Sequence, residues 1–345
     1  MARYPFGLFK RWTARNRNLI YSIVSALLIV AVVVVLIYGP NPFGKSENET
    51  PEISPETNVE RASVQPVPRL AAEAELKPNL IDVAPRPGGK PNPKVTELIA
   101  ETMELVKTEP GGIIEARDRL NDALRMPMSG QQRAFVKKHL SKLADEWLFS
   151  PVVFPNDMLC DIYKVKPGNQ LRIIGERHKV PWEILKELNR IQRPELLPAG
   201  RVIKVVNGPF HAKIYRSTFT LDLYLQNTFV RSFPVGLGKP SKETPTGLWQ
   251  VKAGGKLVKP PWWDEEAGRT YHHDDPDYPL GSRWIELEGI GGAAKGREGF
   301  GIHGTKKPDQ IGKAESRGCI RLHNGDAILV YNLLVPVFSK VEVLD

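Results

Sequence analysis

From Leu19 to Tyr38 the chain runs for twenty residues without a charged side chain, and fourteen of those twenty are Leu, Ile or Val. At roughly −0.3 to −0.6 kcal/mol for each such residue, membrane entry of this run is favoured by about 4 to 8 kcal/mol. Its length matches a helix crossing a ~30 Å hydrocarbon core. A cleaved leader is the rival reading, but the run exceeds the ~7 to 15 apolar residues of a leader. Gly39-Pro40-Asn41-Pro42 also stands where a small-x-small cleavage site would be. The expectation is a single transmembrane helix over 19–38. Residues 1–18 carry Arg3, Lys10, Arg11, Arg15 and Arg17 and no acid, so this flank is expected in the cytoplasm and everything beyond residue 39 outside it. Despite a net charge of +9, that topology argues against nucleic acid as a partner.

Residues 39–93 form a different regime. Eleven of the thirty prolines fall between Pro40 and Pro93, and between residues 40 and 80 seven glutamates face four basic residues. Such a segment cannot bury enough apolar surface to fold. It reads as a disordered stalk, spanning about 40 Å as a coil and at most about 170 Å as polyproline II. With +5 on the first flank and −3 on residues 40–80, +7 of the total charge remains on the other residues, so an acidic partner is expected.

Over residues 94–150 the pattern turns helical. Val95, Leu98, Ile99, Met103 and Val106 follow three-four spacing, Pro110-Gly111-Gly112 interrupts it, and Ile113, Ala116, Leu120, Ala123 and Leu124 resume it. A third stretch opens at Ser129, a suitable N-cap, and places Phe135, Val136, Leu140, Leu143 and Ala144 on one face. These short helices read as a spacer packed on its neighbours or as a partner-binding module, with the spacer favoured.

Residues 160–207 read as strand, Pro-Gly turn, two short helices and a closing strand. Tyr163-Lys164-Val165, Pro167-Gly168, Leu171, Ile174, Leu188-Asn189 and the Pro198-x-Gly200 turn resemble a lysin-motif (LysM) domain. The resemblance implies a βααβ fold that binds N-acetylglucosamine polymers such as peptidoglycan or chitin, with Pro167, Gly168, Asn169 and Asn189 as candidate glycan contacts. A degenerate motif retained only for packing is the alternative.

Beyond Gly208-Pro209, β-branched and aromatic runs over 212–215, 218–225 and 228–235, then Leu248–Val251, alternate with turn residues, as in an all-β sandwich or barrel. The chain has two cysteines and no C-x-x-C pair, so it is neither a disulfide scaffold nor a zinc ribbon. Cys319 is the only cysteine of this region and follows His303 by sixteen positions. A thiol attacks as thiolate. An imidazole within reach takes its proton and later returns it to a leaving amine. Glycine before the cysteine lets backbone N–H groups turn toward a developing oxyanion. Together these residues suit thiol acyl transfer.

The ordered elements T-P-T-G (244–247), P-L-G-x-R-W-I (279–285), H-G-T (303–305) and S-R-G-C-I-R-L (316–322) with the N-x-D that follows resemble the L,D-transpeptidase catalytic domain of bacterial cell-wall enzymes, over residues 210–345. The resemblance implies Cys319 as nucleophile and His303 as base and acid. It also implies the Gly304 carbonyl as holder of the imidazole tautomer, and the Gly318 and Cys319 amides as oxyanion donors. The implied substrate is a peptidoglycan tetrapeptide stem that loses D-alanine and is passed to an amine. Ser316, Thr305, Arg317 and Arg321 are the expected substrate contacts, and neither metal nor cofactor is implied. Arg317 stands where the family commonly has histidine; Arg321 either pairs with a stem carboxylate or braces its loop. The whole chain then reads as an enzyme of the bacterial cytoplasmic membrane with its catalytic domain outside. A carboxypeptidase using water, or a wall-binding scaffold, are the alternatives. Cys160 reads as structural, although an oxidising exterior would permit a bond to Cys319. A zinc site from His272, His273 and His303 is disfavoured because adjacent histidines diverge along a strand. Trp262-Trp263 and Tyr271-His272-His273 form either a lid or ordinary loop packing.

Overall fold

The computed structural model describes residues 89–108 and 111–345. The span expected at 19–38 and nearly all of the proline-rich stretch lie outside them. Among the described residues no helix is long and apolar enough to cross a membrane.

Three helices come first: α1 (Pro93–Thr108), α2 (Ile113–Ala123) and α3 (Gly130–Trp147). α3 opens on a capping box, in which Gln132 donates its backbone N–H to Ser129 Oγ and Ser129 donates its own to Gln132 Oε1, both at 3.2 Å. Val136, Leu140, Leu143, Ala144 and Trp147 are buried. Phe135, expected on the same face, is 44% exposed and rests on the His139 ring at 4.2 Å. Consecutive helical residues point about 100° apart, so Phe135 is turned out by the burial of Val136.

Strands β1 (Cys160–Lys164) and β2 (Val202–Val206) pair antiparallel and enclose α4 (Leu171–Arg177) and α5 (Trp182–Leu188). Leu171, Ile174, Ile184, Leu185 and Leu188 fill the space between them. Lys204 of β2 is buried and donates to the carbonyls of Trp147 (2.5 Å), Ser150 (3.0 Å) and Val152 (2.7 Å). Its ammonium thus meets the carbonyl end of α3, where the helix dipole favours a cation, and ties this unit to the helices.

The remaining strands are β3 (Phe210–Tyr215), β4 (Thr220–Leu225), β5 (Thr228–Pro234), β6 (Leu237–Gly238), β7 (Gly247–Leu257), β8 (Trp262–Asp264), β9 (Arg269–Tyr271), β10 (Trp284–Gly291), β11 (Phe300–His303), β12 (Ala314–Ser316), β13 (Ile320–Arg321) and β14 (Lys340–Leu344), with helix α6 (Asn324–Leu333) between the last two. Eight of them make one mixed sheet in the order β13-β11-β10-β7-β14-β3-β4-β5, while β6 and β12, and β8 and β9, pair separately. The all-β expectation is corrected to a β-rich domain that includes α6. Ala327, Val330 and Leu333 face inward at three-residue spacing, within an apolar stretch whose helical period alternation alone does not reveal.

The helices pack on this sheet through a charge pair. Lys137 of α3 meets Asp222 of β4, a fully buried carboxylate that Ser232 of β5 also donates to. The ammonium lies over the rings of Tyr215 and Phe229, 5.3 and 5.6 Å from their centroids. Breaking such a pair leaves one charge uncompensated in the interior. Asp222→Ala is therefore expected to cost about 3–5 kcal/mol and lower the urea midpoint of the full chain; an unchanged midpoint would show that the pair does not hold the helices to the sheet.

Candidate active site

His303 ends β11, which pairs antiparallel with β10 on one edge and parallel with β13 on the other. The registers place Trp284 opposite His303 and His303 opposite Arg321. Residues paired in this way share a face of the sheet, so an indole, an imidazole and a guanidinium stand in one row across three strands. Two residues back along the β11–β13 register Cys319 comes beside Gly301, on the face that carries His303. Sixteen residues of separation are thereby reduced to a diagonal neighbour.

Gly301 is required by close approach: a Cβ there would lie 2.8 Å from the Trp284 ring. The indole uses this space to stack on His303, centroids 5.5 Å apart and planes 28° apart. The imidazole's Nδ1 lies 2.6 Å from the Gly304 carbonyl. A carbonyl can only accept, so Nδ1 carries the proton and Nε2 is left as an acceptor. His303 is 3% exposed, and burial, assisted by the Arg321 charge, lowers its pKa to about 4. It is a neutral imidazole at neutral pH.

Cys319 is half-buried, a free thiol against the cluster of Tyr278, Leu280 and Trp284. Burial pushes its pKa up, opposed by the Gly301 amide and by the charges of Arg321 and Arg317. The resting pair is therefore thiol and neutral imidazole. Such a pair is suited to moving the proton as the sulfur attacks.

The loop before Cys319 is held from within. Gly318 has φ +117°, a conformation that L side chains rarely adopt, and a Cβ on it would lie 2.7 Å from Phe300. Ser316 Oγ donates to the Cys319 carbonyl at 2.6 Å and accepts the Gly318 N–H at 3.1 Å. The buried Thr244 hydroxyl of the T-P-T-G element donates to the Gly318 carbonyl at 2.9 Å.

Several expected contacts are thereby corrected. The Gly318 amide points at Ser316 and not toward an oxyanion position. Ser316 is consumed by the loop, and the buried Thr305 hydroxyl accepts from Lys307 N at 2.9 Å; neither faces a ligand. Arg321 bonds Gln310 Oε1, the bracing alternative. Arg317 pairs with Asp264 at 3.0 Å, reaching from the nucleophile loop to the β8–β9 hairpin. That hairpin is more than loop packing: Trp262 lies 5.5 Å from the Trp284 ring and, with Tyr271, packs on the cluster that contacts Cys319. Trp263 is 57% exposed. Thr244 and Trp284 lie in the T-P-T-G and P-L-G-x-R-W-I elements, but their contacts, like that of Asp264, had no local signal, because each partner is at least nineteen positions away.

In the LysM unit, Asn189 accepts Lys204 N at 2.7 Å and donates to the carbonyls of Leu185 and Lys204, both at 2.8 Å. Asn169 Oδ1 accepts from the Tyr163 hydroxyl (2.7 Å) and Lys166 N (3.0 Å). The Asn189 amide and the Asn169 oxygen thus brace the unit from within. Pro167 and Gly168 are exposed in their turn, Asn169 is half-buried, and Asn189 lines an open cleft with Ile162, Leu188 and Val202.

Residues 209–343 match the family model of the L,D-transpeptidase catalytic domain, and residues 163–206 match that of the LysM domain. The chain is 30% identical over 191 residues to YkuD of Bacillus subtilis, named as an L,D-transpeptidase, covering 52% of this chain and 97% of that protein. This chain belongs to the L,D-transpeptidase family. YqjB of the same organism, also named as an L,D-transpeptidase, is 32% identical over 140 residues, covering 40% of this chain and 73% of its own. A crystal structure of an L,D-transpeptidase from Mycobacterium tuberculosis aligns with a TM-score of 0.32 at 17% identity, over 43% of this chain and 63% of that one.

The two thiols of this L,D-transpeptidase are not bonded to one another. Cys160 is buried, with its pKa pushed up to about 12 chiefly by that burial. A thiol reagent at pH 8 is expected to titrate one group quickly, and the second only after denaturation. Cys319→Ala should abolish the fast phase, and persistence of that phase would contradict the assignment.

Proposed function

We propose that the protein is a membrane-anchored peptidoglycan L,D-transpeptidase with Cys319 as nucleophile and His303 as base and acid. The observation that carries this reading is the hydrogen bond from His303 Nδ1 to the Gly304 carbonyl, which leaves Nε2 as the acceptor on the face that Cys319 shares.

As the sulfur attacks the carbonyl of the third stem residue, its proton passes to Nε2 and the carbonyl π pair moves onto oxygen. With the Gly318 amide engaged by Ser316, the Cys319 amide is the donor we assign to that oxyanion. Collapse of the intermediate breaks the bond to the terminal D-alanine, whose nitrogen takes the proton from His303, and leaves a thioester. An amine of another stem then attacks, gives its proton to His303, and the thiol is restored as the new amide forms. Arg317 and Arg321 stabilise negative charge on the sulfur. The β8–β9 hairpin, with Trp262 inside and Arg317 as its tether, forms one wall of the cleft.

The Pro167-Gly168 turn is the glycan contact we retain in the LysM domain. Residues 19–38 supply the anchor, and the basic domains meet the acidic groups of the wall, an attraction that weakens as salt rises.

Incubation with purified disaccharide-tetrapeptide, read by mass spectrometry, is expected to yield cross-linked dimers and free D-alanine. Cys319→Ala should lower D-alanine release by at least about 10³-fold. Tripeptide without dimers would assign hydrolysis instead, and an unchanged substrate would sink the enzymatic reading.

A second expectation concerns pH. A base with its pKa lowered to about 4 is neutral above that value and protonated below it. Activity should hold as pH falls from 7 to 5 and be lost through about pH 4. An acid limb near the ordinary ~6.5 of histidine would contradict a buried neutral imidazole.

A further inference from the structure

The His303 ring faces two backbone carbonyls, those of Gly304 and Leu280, and the Gly304 carbonyl, which holds Nδ1 at 2.6 Å, belongs to a peptide group with a restraint of its own. Asn324, the first residue of α6, lies between the loop before β10 and the loop after β11. Its Oδ1 accepts the backbone N–H groups of Ser282 (3.1 Å) and Thr305 (3.2 Å), and its Nδ2 donates to the Thr305 carbonyl at 3.0 Å. Ser282 Oγ donates in turn to the Asn324 carbonyl at 3.1 Å.

The Gly304 carbonyl and the Thr305 N–H belong to the same planar trans peptide and point in opposite directions. Holding the N–H toward Asn324 therefore aims the oxygen toward His303 Nδ1, where it is found at 2.6 Å. The strand ladder does not supply this restraint. It fixes the preceding peptide, through Gly304 N to the Arg283 carbonyl and Leu322 N to the His303 carbonyl, and β11 ends at His303. Glycine at 304 makes rotation of the next peptide cheap. Nor can a side chain replace it, since a Cβ there would lie 2.1 Å from Asn324 Oδ1.

We propose that Asn324 is a positioning residue: its carboxamide sets the orientation of the 304–305 peptide, and through it the Nδ1-protonated tautomer that leaves Nε2 free. The proposal rests on the acyl-transfer reading of Cys319 and His303. Without this carboxamide the peptide is free to turn its oxygen away, and the imidazole is no longer held as the Nδ1-H form.

The test uses the full chain in detergent, labelled with ¹⁵N-histidine, as wild type, Asn324→Ala and Asn324→Asp. Asp keeps an acceptor for both N–H groups and loses only the donor. Asn324→Ala is expected to lower kcat by about 10- to 100-fold with little change in KM, and to move the His303 nitrogen resonances toward a mixture of tautomers. Asn324→Asp should restore the Nδ1-H pattern and most of kcat, and its carboxylate should move the acid limb of the pH profile upward. A folded Asn324→Ala with the parent's tautomer and kcat would overturn the proposal. So would equal losses in both variants with the tautomer unchanged, which would mark Asn324 as structural only. If Asn324→Ala does not fold, the proposal falls should Asn324→Asp lack the Nδ1-H pattern. If the wild type releases no D-alanine, the acyl-transfer reading fails by itself, while the resonances still decide what Asn324 does.

Discussion

Strand β11 is bonded along both edges, antiparallel to β10 and parallel to β13, and this double pairing sets which side chains share the face of the site. Trp284, His303 and Arg321 fall into one row, and Cys319 comes up beside Gly301. A slip of one residue at either edge would turn the imidazole or the thiol to the opposite face. The parallel partner matters most, because β13 has only two residues and is held in place by other means. The Gly236–Arg321 bridge, Thr244 on the Gly318 carbonyl and Ser316 on the Cys319 carbonyl supply them.

Burial sets the chemistry within that frame. Both reacting groups are held in their neutral forms by desolvation, the thiol upward and the imidazole downward. A standing thiolate–imidazolium pair would require two charges in a place that penalises each. The guanidinium groups of Arg317 and Arg321 are the charges that oppose the effect of burial on the thiol. Arg317 also bonds Asp264, so the residue that departs from the commoner histidine joins the nucleophile loop to the β8–β9 hairpin.

The units before the catalytic domain are bound to it by buried charges. Lys204 binds the LysM strand to the carbonyl end of α3, and Lys137 binds α3 to the sheet at Asp222. Three carbonyls meet the Lys204 ammonium, and a carboxylate and two aromatic faces meet that of Lys137, which offsets the cost of removing each from water. The periodicity of 94–148 revealed helices, while their seat on the sheet rests on Lys137 and Asp222, eighty-five positions apart.

Sequence alone determined the family and most of the helical and strand periods, because a cysteine, a histidine and their glycines recur in ordered local motifs. It also marked Ser129 as a cap and Tyr163 to Gly200 as one folded unit, since caps and turns act over a few residues. Only the tertiary structure decided which groups are free to act. It turned the Gly318 amide inward, engaged Ser316 and Thr305 within their own loops and Asn189 with the closing strand, set Trp284 against the imidazole, and placed Asn324 behind the Gly304 peptide. The physical reason is that a hydrogen-bonding group has few partners to give. Which ones it takes depends on atoms brought close by strand pairing, at separations that no local pattern encodes.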